Sequence, residues 1–251
     1  MKRYSYRGRS AMDSEGFFGR RLNRAAVVGH RGAPGQHPDN TLAGLMAGLE
    51  VDGAVEVDVR LSRDGRLVLA HDPQLNGLVV ADATWAELSD LDLGSGHPPC
   101  LLDEVLAIPG RVDMEVKNLP GQPGFDPDGR LALLVASRAR STDIVTSFYW
   151  PDMDLVRARK PDVATGIIIG EGGSFEDGLA HCRSRGHRGM AVQDPLLDRP
   201  RCEMAAQAGV RLMAWTVNEM DRARELSLWG VAAIISDHPH MMTAAFREEG
   251  P

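Results

Sequence analysis

The sequence predicts a (β/α)8 TIM barrel on three observations. From Ala25 onward, nine short β-type runs alternate mostly with helix-like stretches, and this alternation favours a parallel sheet joined by right-handed crossovers. The Asp–Gly turn within SRDGR (62–66) predicts that the second and third runs form an antiparallel hairpin. Eight barrel positions then remain, with the hairpin as an extension after the second strand. A doubly wound open sheet is the alternative.

The elements follow in a regular order along the chain. The predicted strands are AAVVGH, GAVEVDV, RLVLAH, RVDMEVK, DIVTSFY, VATGIII, GMAVQD, VRLMAWTV and VAAIIS. The predicted helices are NTLAGLMAGLE, TWAELSDL, LLDEVLAI, GRLALLVASRAR, PDMDLVRARK, CEMAAQAG and NEMDRARELSLWG. The expected helix-end residues are Asn40–Thr41 and Asn218 at N-termini, and Gly209 and Gly230 at C-termini.

Composition limits the classes of protein to which the chain can belong. Residues 1–24 are basic but lack an apolar segment, so we expect a disordered leader rather than a secretory signal. One domain is expected over 25–251. The net charge of −7 argues against a general nucleic-acid binder. No window approaches the ~20 apolar residues needed to span a bilayer, so no stable membrane anchor is expected.

Cysteine usage indicates the compartment. The three cysteines, Cys100, Cys182 and Cys202, are odd in number and widely spaced, so a disulfide framework is not expected. They are interpreted as free thiols in a reducing compartment, and the expected location is the cytoplasm. The sequence leaves the oligomeric state open.

Two predicted strands each carry a charged face. Glu56, Asp58 and Arg60 share one face of VEVDVR, and Asp113, Glu115 and Lys117 share one face of VDMEVK. Valines and a methionine would pack on the helices, so the charged faces would look into the barrel. Clustered buried carboxylates are costly unless a cation neutralises them, and Ca²⁺ and Mg²⁺ prefer such ligands. We therefore predict one divalent cation on Glu56, Asp58 and Glu115. The alternative is a sheet edge that shows a polar face to water.

Two histidines and two cations complete the pattern. His30 and His71 each end an apolar strand, and histidines supply general acid and base near neutral pH. Arg31 and Lys117 can hold a phosphoryl group. The combination favours phosphoryl chemistry over a metal-dependent sugar isomerase, which would need no paired Arg and Lys for phosphate.

These motifs resemble the glycerophosphodiester phosphodiesterases, a family of the phospholipase-C-like barrel superfamily. The similar segments, from about Val27 to Pro239, are GHRGAPGQHPDNT, VEVDVRLSRDGRLVLAHDP, MEVK, TSF, AWTVN and IISDHP. The resemblance implies hydrolysis of glycerophosphodiesters such as glycerophosphocholine to glycerol 3-phosphate and an alcohol. It implies the following residue roles: His30 and His71 as acid–base pair, Glu56, Asp58 and Glu115 as ligands for Ca²⁺ or Mg²⁺, Arg31 and Lys117 on phosphate, and Trp215 beside the substrate.

One position departs from the family pattern. The family usually has Pro–Glu–Asn–Thr where this chain has Pro38, Asp39, Asn40 and Thr41. Aspartate is one methylene shorter, so a contact of this carboxylate with Arg31 or the cation would have to be rebuilt or bridged by water. Asp39 is therefore not among the predicted site residues.

Other functions and motifs are weighed against this hypothesis. The alternatives are a lysophospholipase-D-type enzyme acting on lipid headgroups and a non-catalytic barrel that binds phosphodiesters. IGEGG (169–173) lacks the following Lys–Ser/Thr of a phosphate loop and is interpreted as a plain loop. The spacing of HCRSRGH (181–187) fits no compact four-ligand zinc set, so this motif is interpreted as a solvated helix end. His238 and His240 are assigned no role.

Overall fold

The computed structural model describes residues 16–18 and 24–247. The strands are β1 (Ala26–Gly29), β2 (Ala54–Leu61), β3 (Leu67–Leu69), β4 (Gln74–Leu75), β5 (Leu78–Val79), β6 (Arg111–Val116), β7 (Ile144–Ser147), β8 (Ala164–Ile169), β9 (Gly189–Gln193), β10 (Arg211–Trp215) and β11 (Ala233–Ser236). The α-helices are α1 (Leu42–Asp52), α2 (Trp85–Leu88), α3 (Leu102–Leu106), α4 (Arg130–Arg138), α5 (Trp150–Arg159), α6 (Phe175–Arg185), α7 (Arg199–Ala208), α8 (Met220–Leu228) and α9 (Pro239–Arg247).

Eight parallel strands close into a barrel, which confirms the predicted fold over the open sheet. Their order around the barrel is β1, β2, β6, β7, β8, β9, β10 and β11, and β11 pairs with β1 again. The seam between β1 and β2 is a single ladder pair, Gly29 with Val55. Strand β3 lies antiparallel on β2, with Val59 opposite Leu69, and this is the hairpin predicted from the Asp–Gly turn.

The alternation in β2 sorts its side chains as expected. Val55, Val57 and Val59 are fully buried among Leu45 and Leu49 of α1 and the other helices that surround the barrel. A second apolar cluster fills the barrel interior, because residues from several strands meet there. Its strand members are Val28, Ala54, Ile144, Ala164, Ile168, Ala191, Met213, Ala233 and Ile235.

The core begins before the expected domain start at residue 25. Phe17 is 2% exposed and belongs to the interior cluster, and its carbonyl accepts a hydrogen bond from Arg111 Nη1 at 2.8 Å. Residues 16–18 therefore pack against the barrel instead of forming part of a disordered leader. The rest of that leader, apart from Arg24, lies outside the described residues.

Helices α6 and α9 were absent from the predicted elements. Helix α6 buries Phe175, Leu179 and Cys182, a helical spacing that Gly178 interrupts. A Cβ on Gly178 would lie 2.6 Å from Ile169 Cδ1, so a larger residue there would require the Ile169 side chain to shift. Helix α9 starts directly at Pro239, a residue that suits the first helical turn because it has no N–H to satisfy.

The helix ends agree with most of the predicted caps. The Thr41 hydroxyl accepts a hydrogen bond from the Gly44 N–H, and Gly209 ends α7 in the left-handed conformation at φ 73°. The N-cap of α8 is Glu219 rather than Asn218, because the Asn218 side chain is engaged elsewhere, as described below.

Two further expectations can be compared with the described residues. None of their helices combines the length and apolar character needed to cross a membrane. Cys100, Cys182 and Cys202 are buried and unpaired, as the sequence predicted. Burial raises the pKa of the Cys182 thiol to about 12 and that of Cys202 to about 11, so these thiols are poor nucleophiles at neutral pH.

Candidate active site

A cavity of about 150 Å³ collects the predicted site residues at the carboxyl ends of the barrel strands. Parallel strands all end at one mouth of a barrel, which is where such enzymes build their sites. The residues that line the cavity are His30, Arg31, Glu56, His71, Asp113, Glu115, Lys117, Thr146, Phe148, Ile168, Ala191, Trp215 and Ile235. Seven of the eight predicted site residues line this cavity. The eighth, Asp58, contacts Arg31 and Lys117, which both line it.

Three buried carboxylates form the acidic part of the site. Glu56 and Asp58 project from β2 and Glu115 from β6, and Asp58 is the ladder partner of Glu115. One oxygen from each of the three lies within 4.8 Å of the others. Burial and the neighbouring carboxylates raise the pKa of Glu56 well above its ordinary value. Burial works to raise the pKa of Asp58 as well, but Lys117 and Arg31 outweigh it, and this pKa is lowered.

The acidic cluster fits a hard divalent cation. Glu56 Oε1 is buried and accepts no hydrogen bond from any described residue, and a buried acceptor without a partner is costly. Burial also raises the pKa of neighbouring Asp113 to about 7, although its Oδ1 accepts a hydrogen bond from Thr146 Oγ1 at 2.6 Å. A cation on carboxylate oxygens would satisfy Glu56 Oε1 and reduce the repulsion among the carboxylates.

Arg31 and Lys117 lie against these carboxylates. Arg31 adopts a positive φ of 53°, and its backbone N–H donates to Glu56 Oε2 at 3.0 Å. The ammonium of Lys117 is buried, 2.9 Å from Asp58 Oδ1 and 2.6 Å from Glu115 Oε1. Both cations are thus held beside the acidic cluster, where a phosphate group would need them.

Asp39 braces Arg31 directly. Its Oδ2 accepts a hydrogen bond from Arg31 Nη1 at 2.9 Å, while Arg31 Nε lies 3.3 Å from Asp58 Oδ2. The shorter carboxylate therefore reaches the guanidinium without a water bridge. Asn40, the next residue, uses its amide to donate to Asp58 Oδ2 at 2.8 Å. The loop after β1 consequently orients both a cation and an acid of the site.

His30 is held by a residue that the sequence reasoning did not assign. Asp237, directly after β11, places Oδ1 2.6 Å from His30 Nδ1. Asn218 Nδ2 donates to the other oxygen of Asp237 at 2.8 Å, and Asn218 Oδ1 accepts from the Asp237 N–H at 3.0 Å. The opposite ring atom, His30 Nε2, lies 3.9 Å from Glu56 Oε2. Its position in the sequence could have indicated this role, because Asp237 directly follows a strand in IISDHP as His30 does in VVGH.

His71 is fixed through its backbone. Arg60 donates to the His71 carbonyl from Nε at 3.1 Å and from Nη2 at 2.7 Å, and Nη2 also donates to Gln122 Oε1 at 2.9 Å. The imidazole Nδ1 of His71 lies 2.8 Å from Asp72 Oδ1. Burial and the nearby Lys117 charge lower the pKa of His71, so its imidazole is neutral at pH 7.

Aromatic side chains form the remaining wall. Trp215 packs edge-to-face on Phe148 with ring centroids 5.6 Å apart, and Trp215 Nε1 is buried with no hydrogen-bond partner among the described residues. Phe148 was not predicted, although it lies in the quoted TSF motif. Beyond this wall lies an open groove of about 470 Å³, which we call the aromatic groove; its lining residues are Phe148, Trp150, Ile168, Ile169, Gly170, Glu171, Gly173, Gln193 and Trp215.

Comparison with known proteins identifies the family. Residues 30–241 match the Glycerophosphoryl diester phosphodiesterase family. The chain belongs to this family. It is 25% identical over 246 residues to a glycerophosphodiester phosphodiesterase of Caldanaerobacter subterraneus, which covers 90% of this chain and 100% of that protein. The resemblance, the enzyme class and the reaction class inferred from the sequence are thereby confirmed.

Solved structures of the family share the barrel. A glycerophosphodiester phosphodiesterase from Thermotoga maritima superposes with a TM-score of 0.72 at 26% identity, covering 88% of this chain and 97% of that one. An Oleispira antarctica phosphodiesterase in complex with the product sn-glycerol-3-phosphate gives a TM-score of 0.79 at 24% identity, covering 89% and 97%. These similarities support the same fold over nearly the whole described chain.

Proposed function

We propose that this enzyme hydrolyses glycerophosphodiesters to glycerol 3-phosphate and an alcohol in a metal-dependent reaction with histidine acid–base catalysis. The observation that carries the proposal is one cavity lined by two histidines, two cations and two of the three clustered carboxylates, with Asp58 directly behind them. Family membership supplies the reaction class, and the Oleispira antarctica phosphodiesterase with its sn-glycerol-3-phosphate product supports a substrate of this size.

Glu56, Asp58 and Glu115 would hold the cation. An all-oxygen ligand set suits Ca²⁺ or Mg²⁺ rather than a softer metal. When bound, the ion supplies charge neutralisation for the phosphoryl oxygens. In its absence, Lys117 partly neutralises the cluster through its contacts with Asp58 and Glu115.

Arg31 and Lys117 orient the phosphodiester. Arg31 lines the cavity, and its Nε lies 3.3 Å from Asp58 Oδ2 without forming a hydrogen bond to a described residue, so this donor can turn to a substrate oxygen. Asp39 and Asp58 keep the guanidinium in place before substrate arrives, and Glu56 holds the Arg31 backbone N–H. Preorganised donors of this kind stabilise charge that develops during phosphoryl transfer.

The two histidines act as general base and general acid. One imidazole, neutral before the step, accepts the proton of the attacking hydroxyl as its oxygen bonds to phosphorus. The other, protonated before the step, donates a proton to the alcohol oxygen as the bond from that oxygen to phosphorus breaks. Asp237 accepts a hydrogen bond from the Nδ1–H of His30, which leaves Nε2 as the reactive atom on the cavity side. Each histidine has an aspartate at Nδ1, so both rings are oriented for this task.

The aromatic groove suits the alcohol portion of the substrate. It shares Phe148, Ile168 and Trp215 with the central cavity, so a group leaving the phosphate can enter it directly. Aromatic faces together with the carboxylate of Glu171 favour a cationic alcohol such as choline. A lysophospholipid is the alternative substrate, since the same apolar wall could contact an acyl chain.

A matrix of metals and substrates tests the function. Glycerol 3-phosphate release from glycerophosphocholine and glycerophosphoinositol, and release of the headgroup alcohol from a lysophospholipid, are measured with Ca²⁺, Mg²⁺ or chelator. We expect metal-dependent release from the glycerophosphodiesters, and His30→Ala or His71→Ala should lower turnover by roughly 10²–10⁴-fold. Unchanged turnover in a folded His30→Ala protein would refute the acid–base assignment, and turnover of the lysophospholipid alone would refute the substrate class.

The role of Glu171 is tested by substrate preference. In Glu171→Gln, the ratio of kcat/KM for glycerophosphocholine over glycerophosphoinositol should fall by up to about 5-fold, since an ion contact of an exposed carboxylate is worth at most about 1 kcal/mol. Glu176→Gln, which changes an exposed carboxylate on α6 outside this groove, is the matched control. An unchanged ratio in Glu171→Gln would remove Glu171 from the alcohol site.

A further inference from the structure

A second cluster of metal-ligand side chains lies outside the active site. Asp154 is on α5, His181 is on α6, and His187 lies between α6 and β9. One ligand atom from each residue lies within 4.8 Å of the others. The proposed phosphodiesterase mechanism uses none of these residues. The two histidines are those of the HCRSRGH motif, and the aspartate that joins them is 27 residues away in sequence from His181.

The structure agrees with the interpretation of this motif as a helix end with exposed residues at 183–186, but its two histidines are not fully solvated. The His187 side chain is fully buried, and those of His181 and Asp154 are only 22% and 26% exposed. Spacing within the motif could not reveal the site, because the third ligand comes from the preceding helix. The spacing of the motif argued only against a zinc site with four protein ligands. These three residues instead form a three-ligand cluster with one side open to solvent.

Both imidazoles direct the same ring atom at one point. His181 Nε2 lies 3.0 Å and His187 Nε2 3.1 Å from the same oxygen, Asp154 Oδ1. In a tetrahedral zinc site with bonds of about 2.0–2.1 Å, neighbouring ligand atoms lie slightly more than 3 Å apart. The nitrogen–oxygen distances are therefore already close to those of a metal site, and only a modest withdrawal of the carboxylate is needed to admit an ion.

Neighbouring groups orient these ligands. His187 Nδ1 lies 2.9 Å from Thr165 Oγ1 on strand β8, and this hydroxyl can accept the Nδ1–H when a metal takes the lone pair of Nε2. Metal-binding histidines are commonly oriented in this way. Asp154 Oδ2 lies 3.6 Å from Arg185 Nε, so the second carboxylate oxygen also has a partner.

We propose that Asp154, His181 and His187 form a second metal site, specific for a zinc-type transition metal, that ties α5 and α6 to the barrel wall. Two imidazole nitrogens and one carboxylate oxygen suit Zn²⁺ or Co²⁺ better than Ca²⁺ or Mg²⁺, which prefer oxygen ligands alone. The partly exposed side of the cluster leaves room for a water as fourth ligand. Its role is structural, because it is built on the outer helices and lines neither the cavity nor the aromatic groove.

Cobalt spectroscopy tests the site without relying on activity. Chelator-treated full-length protein is titrated with Co²⁺, since tetrahedral nitrogen-containing sites absorb visible light more strongly than octahedral oxygen sites. We expect this absorption in the wild type and in Glu115→Gln, which alters only the acidic cluster. We expect its loss in His181→Ala and in Asp154→Asn, whereas His240→Ala, an exposed histidine, should keep it.

Zinc affinity and fluorescence give independent readouts. In calorimetric titration of the Glu115→Gln background, His181→Ala should weaken Zn²⁺ binding on the order of 100-fold or more. The Trp150 ring centroid lies 5.0 Å from that of His181, so bound Co²⁺ should quench the fluorescence of Trp150. In Trp150→Phe this quenching should disappear, while Co²⁺ binding itself remains. Folding of each variant is checked by circular dichroism. Equal Zn²⁺ affinity with and without His181, or absorption that disappears in Glu115→Gln, would overturn the second site while leaving the proposed function intact.

Discussion

Asp237 determines which nitrogen of His30 can react. Its Oδ1 is 2.6 Å from Nδ1, and Asn218 holds its second oxygen. The hydrogen bond from His30 lowers the pKa of Asp237, so the carboxylate stays ionised at neutral pH. An ionised acceptor at Nδ1 keeps the proton there and stabilises the imidazolium that forms during proton transfer. Asp237 is therefore a positioning residue for His30.

Replacing Asp237 by Asn should impair turnover more than binding. The amide lacks the charge and can present its NH₂ group to Nδ1, which would favour the wrong imidazole tautomer. We expect kcat to fall on the order of 100-fold with a much smaller change in KM. Steady-state kinetics on glycerophosphocholine measure both, and Asp221→Asn, an exposed carboxylate on α8, is the control. Wild-type kcat in the Asp237 variant would contradict the positioning role.

Single residues differed in how well the sequence revealed them. Glu56, Asp58 and Glu115 stood out because charges on strands with buried apolar faces are costly, and the structure brings them together. Asp237 and Asn218 lie in turns after strands, where polar residues are common for many reasons. Their relation to His30 depends on barrel closure between β1 and β11, which no local pattern encodes.

At the scale of elements, the start of α5 is coupled to the loop after β6. Asp152, in the first turn of α5, accepts a hydrogen bond from Asn118 Nδ2 at 2.9 Å. Asn118 also donates to the Asp126 carbonyl and accepts from the Asp126 N–H. Burial raises the pKa of Asp152 to about 6, with a further contribution from Asp126. The loop and the helix thus share one buried carboxylate that resists ionisation.

Asp152→Asn should stabilise the protein above pH 6. Between pH 4 and 6 the folded state retains a proton that the unfolded state releases, so the unfolding free energy of the wild type falls as pH rises and levels off above pH 6. Asparagine does not ionise, so the variant avoids this fall in the unfolding free energy. Its side-chain oxygen can still accept the hydrogen bond from Asn118 Nδ2. We expect a gain of about 1 kcal/mol, or about 2–4 °C in Tm, at pH 8 and none at pH 4.

Thermal melts at pH 4, 6 and 8 measure this difference. Asp128→Asn, an exposed carboxylate in the same loop, should change Tm little. A Tm gain for Asp152→Asn that is the same at all three pH values would show that ionisation of Asp152 is not its cause.

Strands and helices were predicted well where their apolar residues recur periodically, and poorly where tertiary packing determines the local structure. The nine strands of the main sheet were recognised from their apolar runs, and the hairpin from its Asp–Gly turn, but the short strands β4 and β5 were not predicted. Only the end of helix α6 was recognised, in HCRSRGH, because Gly178 weakens the helical signal upstream; this glycine packs closely against Ile169. Asn218 resembled an N-cap in sequence, but its side chain serves Asp237 instead.

At the scale of the whole molecule, the acidic cluster bridges neighbouring strands close to the barrel seam. Glu56 and Asp58 lie on β2, which meets β1 through a single ladder pair and meets β6 through six. An ion held by β2 and β6 should therefore stabilise the folded barrel, because unfolding must release it. The proposed catalytic cation would then be a stability determinant as well.

Divalent metal should raise the melting temperature. At a Ca²⁺ or Mg²⁺ concentration of about 100 Kd, binding adds about 2.7 kcal/mol to the unfolding free energy, which corresponds to roughly 5–10 °C for a chain of this size. Melts in chelator and in each metal measure the shift, and Glu115→Gln should abolish most of it. An equal shift in Glu115→Gln would place the stabilising ion elsewhere.

The position of His71 is fixed by contacts from the barrel rather than by the segment that follows it. Residues 73–99 leave and rejoin the barrel beside β3, where the Ala70 N–H donates to the Asp58 carbonyl and the Leu69 N–H to the Cys100 carbonyl, both at 2.9 Å. Arg60 independently holds the backbone of His71 from β2. The excursion packs on β3 through a buried apolar cluster that includes Val80 and Leu88. Its exposed residues can therefore be changed without removing the Arg60 contacts that hold the second histidine.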